Sequence, residues 1–398
     1  MNGRALLVIC FCGLVLRLGL IIFSGGELRF PDEFRFLEEA QSLLAGNGLQ
    51  FDGRYGHDMP LTAILIAGVL YLSGGSLLAV KVFFAVISTM TIYVIARLAY
   101  VLSEENTAAL IAGVGAAIYP FFIFYSSLLL SETIFIFFLM LYFLSILKSD
   151  QAPRTQGFLA GLSHLTRPTL VYFLPVIWVW QMVFRRIKIR QLAAGIVVFL
   201  IVLSPWVVRN YYQFDTFVLN TVSSGHVLWE GNNPWNTTGG VSGTFSDQDS
   251  WLDGIPNGLT ELEEDEWKKH QAFKFIKENP KRFLENGVKK GMRFWSLWPN
   301  APEYQHWHYK VVSILSFGSV LVLSVLGCIL LTKIRREVGL IVLFVCYMTA
   351  LQVVILGSIR YRLPLEPLMI VIGSVYLASI GRHVMDFLPP SSCNRKNR

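Results

Sequence analysis

Two adjacent carboxylates and a guanidinium follow closely on the first apolar run of the chain. They are Asp32, Glu33 and Arg35, in the stretch FPDEFR of residues 30–35. A carboxylate can take the proton of an acceptor hydroxyl, and an arginine can neutralise charge that builds on a phosphate leaving group. The pattern therefore indicates proton abstraction beside an anionic phosphate. The same carboxylates would also stabilise the start of a helix, so these residues alone leave both interpretations open.

A further acidic candidate is Glu132, in the stretch LSET of residues 130–133 at the end of an apolar run. An ionisable side chain at that depth in a membrane is costly, so it is expected to face a cavity or a partner. The alternative is a carboxylate that stabilises a helix start at the water interface.

Three arginines are candidate phosphate ligands. Arg360 and Arg362 lie in RYRLP (residues 360–364), and Arg167 lies in TRP (residues 166–168). The topology derived below places all three on the outer side of the membrane, against the usual bias of basic residues towards the cytoplasm. An anionic phosphate partner would explain that position, and anchoring to lipid headgroups is the alternative.

Polar residues between the apolar runs are candidate sugar ligands. His57 and Asp58 could hydrogen-bond a sugar, or His57 could hold a metal together with His226. Asn232 and Asn233 suit sugar hydroxyls, and a tryptophan follows them closely. The alternative is that all of these residues are ordinary solvated residues of loops or turns.

The composition favours a lipid environment. Hydrophobic residues make up 54% of the 398 residues and charged residues only 15%, whereas about a quarter of a soluble domain is charged. The net charge of +7 arises largely from basic residues in short loops, which argues against nucleic acid as a partner. The chain has no glycine-rich nucleotide loop, no His/Cys zinc spacing and no cysteine pattern typical of a disulfide framework.

The apolar runs predict an all-α polytopic membrane protein. They cover residues 5–24, 60–75, 79–101, 107–127, 129–147, 156–166, 168–184, 190–207, 310–332, 338–356 and 363–382. Basic clusters at 185–190, 333–336 and 395–398 belong in the cytoplasm, which places residues 25–59 and 208–309 outside.

One of these runs cannot cross the membrane. Six runs separate Asp32, outside, from Arg185, inside, whereas an odd number of crossings is required. The run at 60–75 is short and begins with a proline, so we expect it to lie along the interface, with 156–166 as the alternative. The prediction is then about ten transmembrane helices with both termini cytoplasmic.

The outer regions contain predicted interfacial helices. One covers residues 32–45, and a capping box at Thr260 and Glu263 begins another that ends near Pro280. A basic amphipathic helix follows, with Lys289 and Lys290 on its polar face, as is typical of helices on a membrane surface. The chain thus divides into a transmembrane module (1–207), a large outer loop (208–309) and C-terminal helices with a tail (310–398).

Taken in order and at their spacing, these motifs resemble the GT-C superfamily of membrane glycosyltransferases, in its protein O-mannosyltransferase and aminoarabinose transferase branch. The motifs are PDE (31–33), SE (131–132), GLSHLTRP (161–168), PWVVRN (205–210), GNNP (231–234) and RYRLP (360–364). The resemblance implies the GT-C fold and an inverting transfer of a sugar from a polyprenyl-phosphate donor. It also implies a site on the periplasmic or extracellular side of the inner (plasma) membrane.

The resemblance also implies residue roles. Asp32 matches the catalytic base, with Glu33 beside it; Arg35 matches a lipid-phosphate ligand, and Glu132 the later acidic residue. We expect Arg362 to share the phosphate with Arg35. A monophosphate leaving group held by arginines can do without a metal. A divalent cation that shares the phosphate is the alternative. Aminoarabinose transferases carry a phosphate-binding lysine where this chain has Met59, so phosphate binding must here rest on Arg35, Arg362 or Lys289 and Lys290 of the basic helix.

The implied partners are a polyprenyl-phosphate sugar, an acceptor (glycan, lipid or protein) and membrane lipids. A polysaccharide polymerase or ligase is an alternative function, but it would not need the Asp-Glu pair. A lipid-linked sugar flippase or transporter is another, and it would predict mid-span charges and internal repeats. A non-catalytic scaffold would tolerate loss of every acidic residue named above.

Overall fold

Helices form the secondary structure that positions the candidate residues. The computed structural model describes residues 2–148, 152–240, 254–301 and 304–387. Its α-helices are α1 (Gly3–Phe23), α2 (Pro31–Leu44), α3 (Pro60–Leu72), α4 (Leu77–Ser103), α5 (Asn106–Ile118), α6 (Pro120–Tyr125), α7 (Ser131–Leu147), α8 (Pro153–Thr166), α9 (Leu174–Trp180), α10 (Ile189–Phe214), α11 (Ser224–Gly231), α12 (Glu261–Glu278), α13 (Pro280–Phe294), α14 (Trp307–Ser313), α15 (Ser319–Leu330), α16 (Arg335–Val354), α17 (Ile359–Arg362) and α18 (Glu366–Phe387). Among these residues no strand forms, which confirms the all-α prediction.

Each of the ten runs predicted to cross the membrane coincides with a helix or a series of helices. Six helical segments of the described chain are long and apolar enough to cross a membrane: α1, α4, α10, α14–α15, α16 and α17–α18. The others are shorter or interrupted, as where Pro120 separates α5 from α6. The helix that corresponds to the run at 190–207 is longer than expected. It is α10, which continues past the predicted boundary at residue 207 to Phe214.

The core of the bundle lies where α4, α5, α7 and α18 pack together, with α1 against α4 and α5. A second close pair is formed by α8 and α10. Glycines allow this close approach, because a Cβ atom on Gly157 would lie 1.9 Å from the carbonyl oxygen of Gly195. The C-terminal end of α8 carries Arg167, so this contact also fixes one of the candidate site residues.

A buried arginine holds the broken end of α5. Arg17 lies within α1 and donates to the carbonyl oxygens of Ala117 (3.1 Å) and Ala116 (3.4 Å) and to Ser88 Oγ (2.8 Å). Pro120 has no N–H to offer the carbonyl of Ala116 four residues earlier. Arg17 supplies the missing donor, so this mid-span charge supports the helix framework and gives no argument for a transport path.

The two outer regions are joined through the first turns of α12. Glu261 accepts hydrogen bonds from the backbone N–H groups of Tyr55 (2.8 Å) and Gly56 (2.9 Å). Arg54 pairs with Glu264 at 2.9 Å. The residues just before His57 are therefore held by the large loop, and α12 begins at the predicted Thr260 capping box.

The basic amphipathic helix predicted in the large loop is α13. Leu284, Val288 and Met292 are 65–71% exposed along one face. The opposite face packs against α16, where Gly287 lies beside Val353. The exposed apolar row is typical of a helix on a membrane surface, and that position stays a prediction. Lys290, expected on the polar face, is buried.

The prediction that α3 does not cross the membrane can be tested by labelling. Its 13 residues span ~20 Å at 1.5 Å per residue, which is short of a ~30 Å hydrocarbon core. In a chain without its native cysteines, Ser73→Cys should react with a membrane-impermeant maleimide added outside. Asn257→Cys is the outer reference and Lys188→Cys the inner one. Labelling of Ser73→Cys only after permeabilisation, like Lys188→Cys, would show that α3 crosses.

Candidate active site

Asp32 lies in the first turn of α2, where its carboxylate faces two arginines. Phe30 is extended, and Pro31 occupies the first helical position, where its fixed φ suits a helix start. Asp32 Oδ1 pairs with Arg35 Nη1 at 2.9 Å, and Oδ2 accepts a hydrogen bond from Arg360 Nη1. The side chain of Asp32 remains 26% exposed, so the carboxylate is at the surface of the site rather than enclosed.

Glu33 ties the start of α2 to the segment that leads into α7. Its Oε1 accepts the backbone N–H groups of Arg29 (2.9 Å) and Phe30 (3.2 Å), and Oε2 accepts the N–H of Leu129 (3.0 Å). Three backbone donors thus occupy this buried carboxylate. Glu33 was expected to be catalytic together with Asp32 and Glu132, whereas its contacts are those of a residue that positions these two.

Glu132 begins α7 and is fully buried. Arg167 Nη1 donates to Glu132 Oε1 at 2.5 Å, and Arg360 donates to both carboxylate oxygens through Nε and Nη2. Arg167 is extended at the end of α8 because Pro168 follows it and disfavours helical geometry at the preceding residue. The two arginines explain how a carboxylate remains charged in this position.

The candidate residues form one chain of alternating charge. Its members, in order of contact, are Asp58, Arg35, Asp32, Arg360, Glu132 and Arg167. Three carboxylates and three guanidinium groups cancel in net charge. Such pairing is what permits ionised groups in poorly solvated surroundings. The site therefore combines potential proton acceptors with cations suited to a phosphate.

The arginines set the protonation state of the carboxylates. Burial by itself would raise the pKa of Asp32, but the charges and hydrogen bonds of Arg360 and Arg35 outweigh burial and hold that pKa well below its usual range. The pKa of Asp58 is also lowered, because Arg35 and His57 outweigh its burial. Both groups are therefore ionised at neutral pH.

A buried acid that the sequence analysis missed lies beside this chain. Glu39 is on α2 one turn after Arg35 and is 5% exposed. Burial, and next the charge of Asp58, raise the pKa of Glu39 to about 9, so it carries a proton at neutral pH. Its spacing of four residues from Arg35 on one helix face was the available signal.

Aromatic rings line the site on two sides. Phe30, next to the acidic pair, packs edge-on against Phe124, which in turn contacts Tyr304. The guanidinium of Arg167 lies over the ring of Tyr361 at 5.5 Å. The sequence analysis assigned no aromatic residue to the site. Phe30 and Tyr361 adjoin its motifs, which was the only signal available.

A metal held by His57 and His226, the less favoured alternative for these residues, is opposed by a lysine. The two rings lie 6.1 Å apart, and Lys268 Nζ lies 3.1 Å from His226 Nδ1. Burial and the charge of Lys268 lower the pKa of His226 to about 3. An ammonium at this distance repels a second cation. His57 instead approaches Asp58 at 3.3 Å, at one end of the charged chain.

Four predicted sugar or phosphate ligands lie apart from the charged chain, in the large loop. Asn232 and Asn233 are buried and donate to backbone carbonyl groups. Lys290 is buried, bonds Asn232 Oδ1 (2.9 Å) and the carbonyl oxygen of Val354 (3.0 Å), and has a pKa lowered to about 8 by burial. Lys289 is exposed and donates to Thr237. Their contacts in the structure stabilise the loop.

Arg362 points away from Asp32 despite its place in the RYRLP motif. Its Nε pairs with Glu366 at 2.8 Å, and Nη1 donates to the carbonyl oxygens of Phe294 and Ser296. The side chain is fully buried and lies over the ring of Phe317. The expected partnership of Arg362 and Arg35 is thus replaced by that of Arg360 and Arg35, because alternate residues of α17 face different neighbours.

The comparisons with known proteins agree with this architecture. Residues 57–208 match the family model of dolichyl-phosphate-mannose-protein mannosyltransferases. The apo oligosaccharyltransferase of Archaeoglobus fulgidus superposes with a TM-score of 0.58 at 13% identity, over 96% of this chain and 51% of that one. The chain has the GT-C fold.

Further structures extend the comparison. The archaeal oligosaccharyltransferase AglB, also from Archaeoglobus fulgidus and in complex with an inhibitory peptide and a dolichol-phosphate, gives a TM-score of 0.59 at 13% identity, over 97% of this chain and 52% of that one. ArnT from Cupriavidus metallidurans bound to undecaprenyl phosphate gives 0.44 at 14% identity, over 98% and 80%. This chain spans about half the length of the archaeal enzymes. No curated protein sequence matches it significantly.

The structural role of Arg362 leads to a stability prediction. Arg362→Gln leaves Glu366 buried without its cation, which costs about 3–5 kcal/mol. Unfolding in detergent should show that loss, and adding Glu366→Gln should recover part of it because the stranded charge is removed. Normal stability of Arg362→Gln combined with lost binding of a polyprenyl phosphate would instead return Arg362 to the phosphate site.

Proposed function

We propose that the chain is an inverting glycosyltransferase that moves a sugar from a polyprenyl-phosphate donor to an acceptor hydroxyl. One observation carries the proposal: Asp32, a partly exposed carboxylate, lies between the guanidinium groups of Arg35 and Arg360. A proton acceptor and two cations suited to a phosphate are thereby combined at one place. A glycosyl transfer from a phosphate needs both.

The chemistry is a single displacement. The acceptor hydroxyl gives its proton to Asp32 while its oxygen bonds the anomeric carbon of the sugar. The bond from that carbon to the phosphate oxygen breaks, and its electron pair leaves with the lipid phosphate. Attack from the face opposite the phosphate inverts the anomeric configuration. Asp32 is left protonated, and the arginines stabilise the departing phosphate.

The remaining charged residues support these two groups. Glu132 holds Arg360 through two hydrogen bonds, and Arg167 compensates the charge of Glu132. Asp58 holds Arg35 in the same manner from the other end. We assign the phosphate to Arg35 and Arg360, with Arg167 next to them, rather than to Arg362.

The comparisons support this proposal at the level of the family. The matched family model is described by a dolichyl-phosphate-mannose donor and a protein acceptor. AglB, which shares the fold, has a solved structure in complex with an inhibitory peptide and a dolichol-phosphate. These descriptions favour a lipid-linked donor here. The sugar, and whether the acceptor is a glycan, a lipid or a protein, are questions for the assay below.

The site is proposed to face the periplasm or the outside of the cell. Arg35, Arg167 and Arg360 would all violate the positive-inside trend if they served no function there. The basic cluster at 185–190 lies at the start of α10. Arg209 lies near the other end of that helix, where it contacts the loop of residues 25–59 through Tyr55. A lipid-phosphate donor in the outer leaflet would then enter the site sideways between helices.

Replacing Asp32 tests the proposal directly. Asp32→Asn preserves the shape of the side chain, and loss of a first-turn charge on α2 costs only about 0.3–1 kcal/mol. It cannot take the proton, so turnover should fall by about 10²–10⁴-fold. The measurement is release of labelled sugar by purified protein from a panel of radiolabelled polyprenyl-phosphate sugars, with a membrane extract as the source of acceptor.

Glu38→Gln is the matched control for this change. Glu38 is exposed on the same helix; among the described residues its carboxylate accepts the N–H of Asp52 and forms no ion pair with an arginine. Its conversion to an amide should leave turnover within about twofold, as expected of a surface substitution. Near-normal transfer by Asp32→Asn would reduce the Asp-Glu pair to helix stabilisation and remove the proposed mechanism.

A further inference from the structure

The guanidinium of Arg360 has two differently occupied edges. Nε and Nη2 face Glu132 as a two-pronged contact, with Nη2 at 3.3 Å from Oε2. Nη1 faces Asp32 alone. One edge is therefore anchored to a fully buried carboxylate, while the other rests on a carboxylate that is 26% exposed.

Asp32 is a poor proton acceptor in this arrangement. Its Oδ1 is taken by Arg35 and its Oδ2 by Arg360. Two guanidinium partners stabilise the ionised form of Asp32. A carboxylate that binds a proton so weakly accepts the proton of the acceptor hydroxyl inefficiently in the transition state. A donor phosphate would seek the same N–H groups, because arginine binds phosphate and carboxylate by similar contacts. Asp32 and the phosphate therefore compete for these donors.

Arg360 is better placed than Arg35 to exchange partners. Arg35 lies three residues from Asp32 on the same helix and moves with it, and its other N–H groups hold Asp58. Arg360 comes from a separate element, α17. Its hydrogen bonds to Glu132 are made by Nε and Nη2 and do not involve Nη1. Glu132 also has Arg167 as a second partner. A change at Nη1 thus strands no buried charge.

We propose that Arg360 transfers Nη1 from Asp32 to the phosphate of the incoming donor while it remains anchored on Glu132. The proposal rests on the glycosyltransferase function proposed above. Before the donor binds, Arg360 masks the base. After it binds, Asp32 loses one of its two cationic partners and becomes a stronger base beside the anomeric carbon. Donor binding and base activation are then one event, which predicts that the donor binds before the acceptor is deprotonated.

The test is a double-mutant cycle on binding of a short-chain polyprenyl phosphate to the full chain in detergent, measured by calorimetry. If Asp32 competes for Nη1, Asp32→Asn should tighten binding about tenfold, since a charge-assisted hydrogen bond contributes ~1.5–3 kcal/mol. In an Arg360→Gln background the gain should shrink to the part that comes from Arg35, because the contested Nη1 of Arg360 is gone. The cycle requires no turnover.

The cycle separates exchange of Nη1 from simple repulsion between carboxylate and phosphate. Repulsion would give the same gain for Asp32→Asn with or without Arg360, and that result would overturn the proposal. Unchanged or weakened binding by Asp32→Asn would overturn it as well. Arg360→Lys serves as a second background if Arg360→Gln folds poorly. A single ammonium held by Glu132 has no second edge to offer, so the gain should again shrink.

The outcome is distinguishable from failure of the proposed function. Sugar transfer by the wild-type protein without coupling in the cycle would remove only the exchange at Arg360. Coupling in the cycle without transfer from any lipid-linked sugar would uphold the exchange and remove the glycosyltransferase. A wild-type protein that binds no polyprenyl phosphate would overturn both. Glu38→Gln, which should leave the affinity unchanged, controls for amide substitution on α2.

Discussion

Arg360 joins two carboxylates that are a hundred residues apart in the chain, and the organisation of the site depends on this bridge. Glu132 is fully buried and Asp32 partly so, and ionised groups in such positions require partners. Because each arginine in the chain of charges serves two carboxylates or one carboxylate and a ring, the geometry of α2, α7, α8 and α17 is mutually constrained. The same constraint keeps Asp32 ionised, with each of its two oxygens paired to an arginine.

The outer loops hold these helices in place. Glu261 of α12 accepts two backbone N–H groups just before His57. The large loop therefore fixes the end of the smaller loop, residues 25–59. On the opposite side, α13 packs so closely on the turn before α17 that a Cβ atom at Gly357 would lie 2.4 Å from the carbonyl oxygen of Lys290. Lys290 also donates to Val354 at the end of α16. The large loop therefore acts as a frame around Arg360 and its neighbours.

Local signals predicted much of the fold and part of the site. Apolar runs located the membrane helices, Pro31 and the Thr260 capping box located the starts of α2 and α12, and the clustered charges singled out Asp32, Arg35 and Glu132. The division of labour within RYRLP was not predictable. Arg360 and Arg362 are of one type and two residues apart, and only their neighbours decide that one meets Asp32 and the other Glu366.

The sequence by itself determined the helical membrane architecture, the acidic pair and the chemistry these residue types allow. Hydrophobicity and helix-start preferences act over short stretches, so they can be read without knowing contacts. The tertiary structure alone decided which cation each carboxylate meets. It also decided that Glu33 and Lys290 serve backbone groups and that Glu39 is protonated. The burial of a side chain and the partner of its charge both depend on residues that are distant in the chain. The same charged residue therefore has a different role when those neighbours differ.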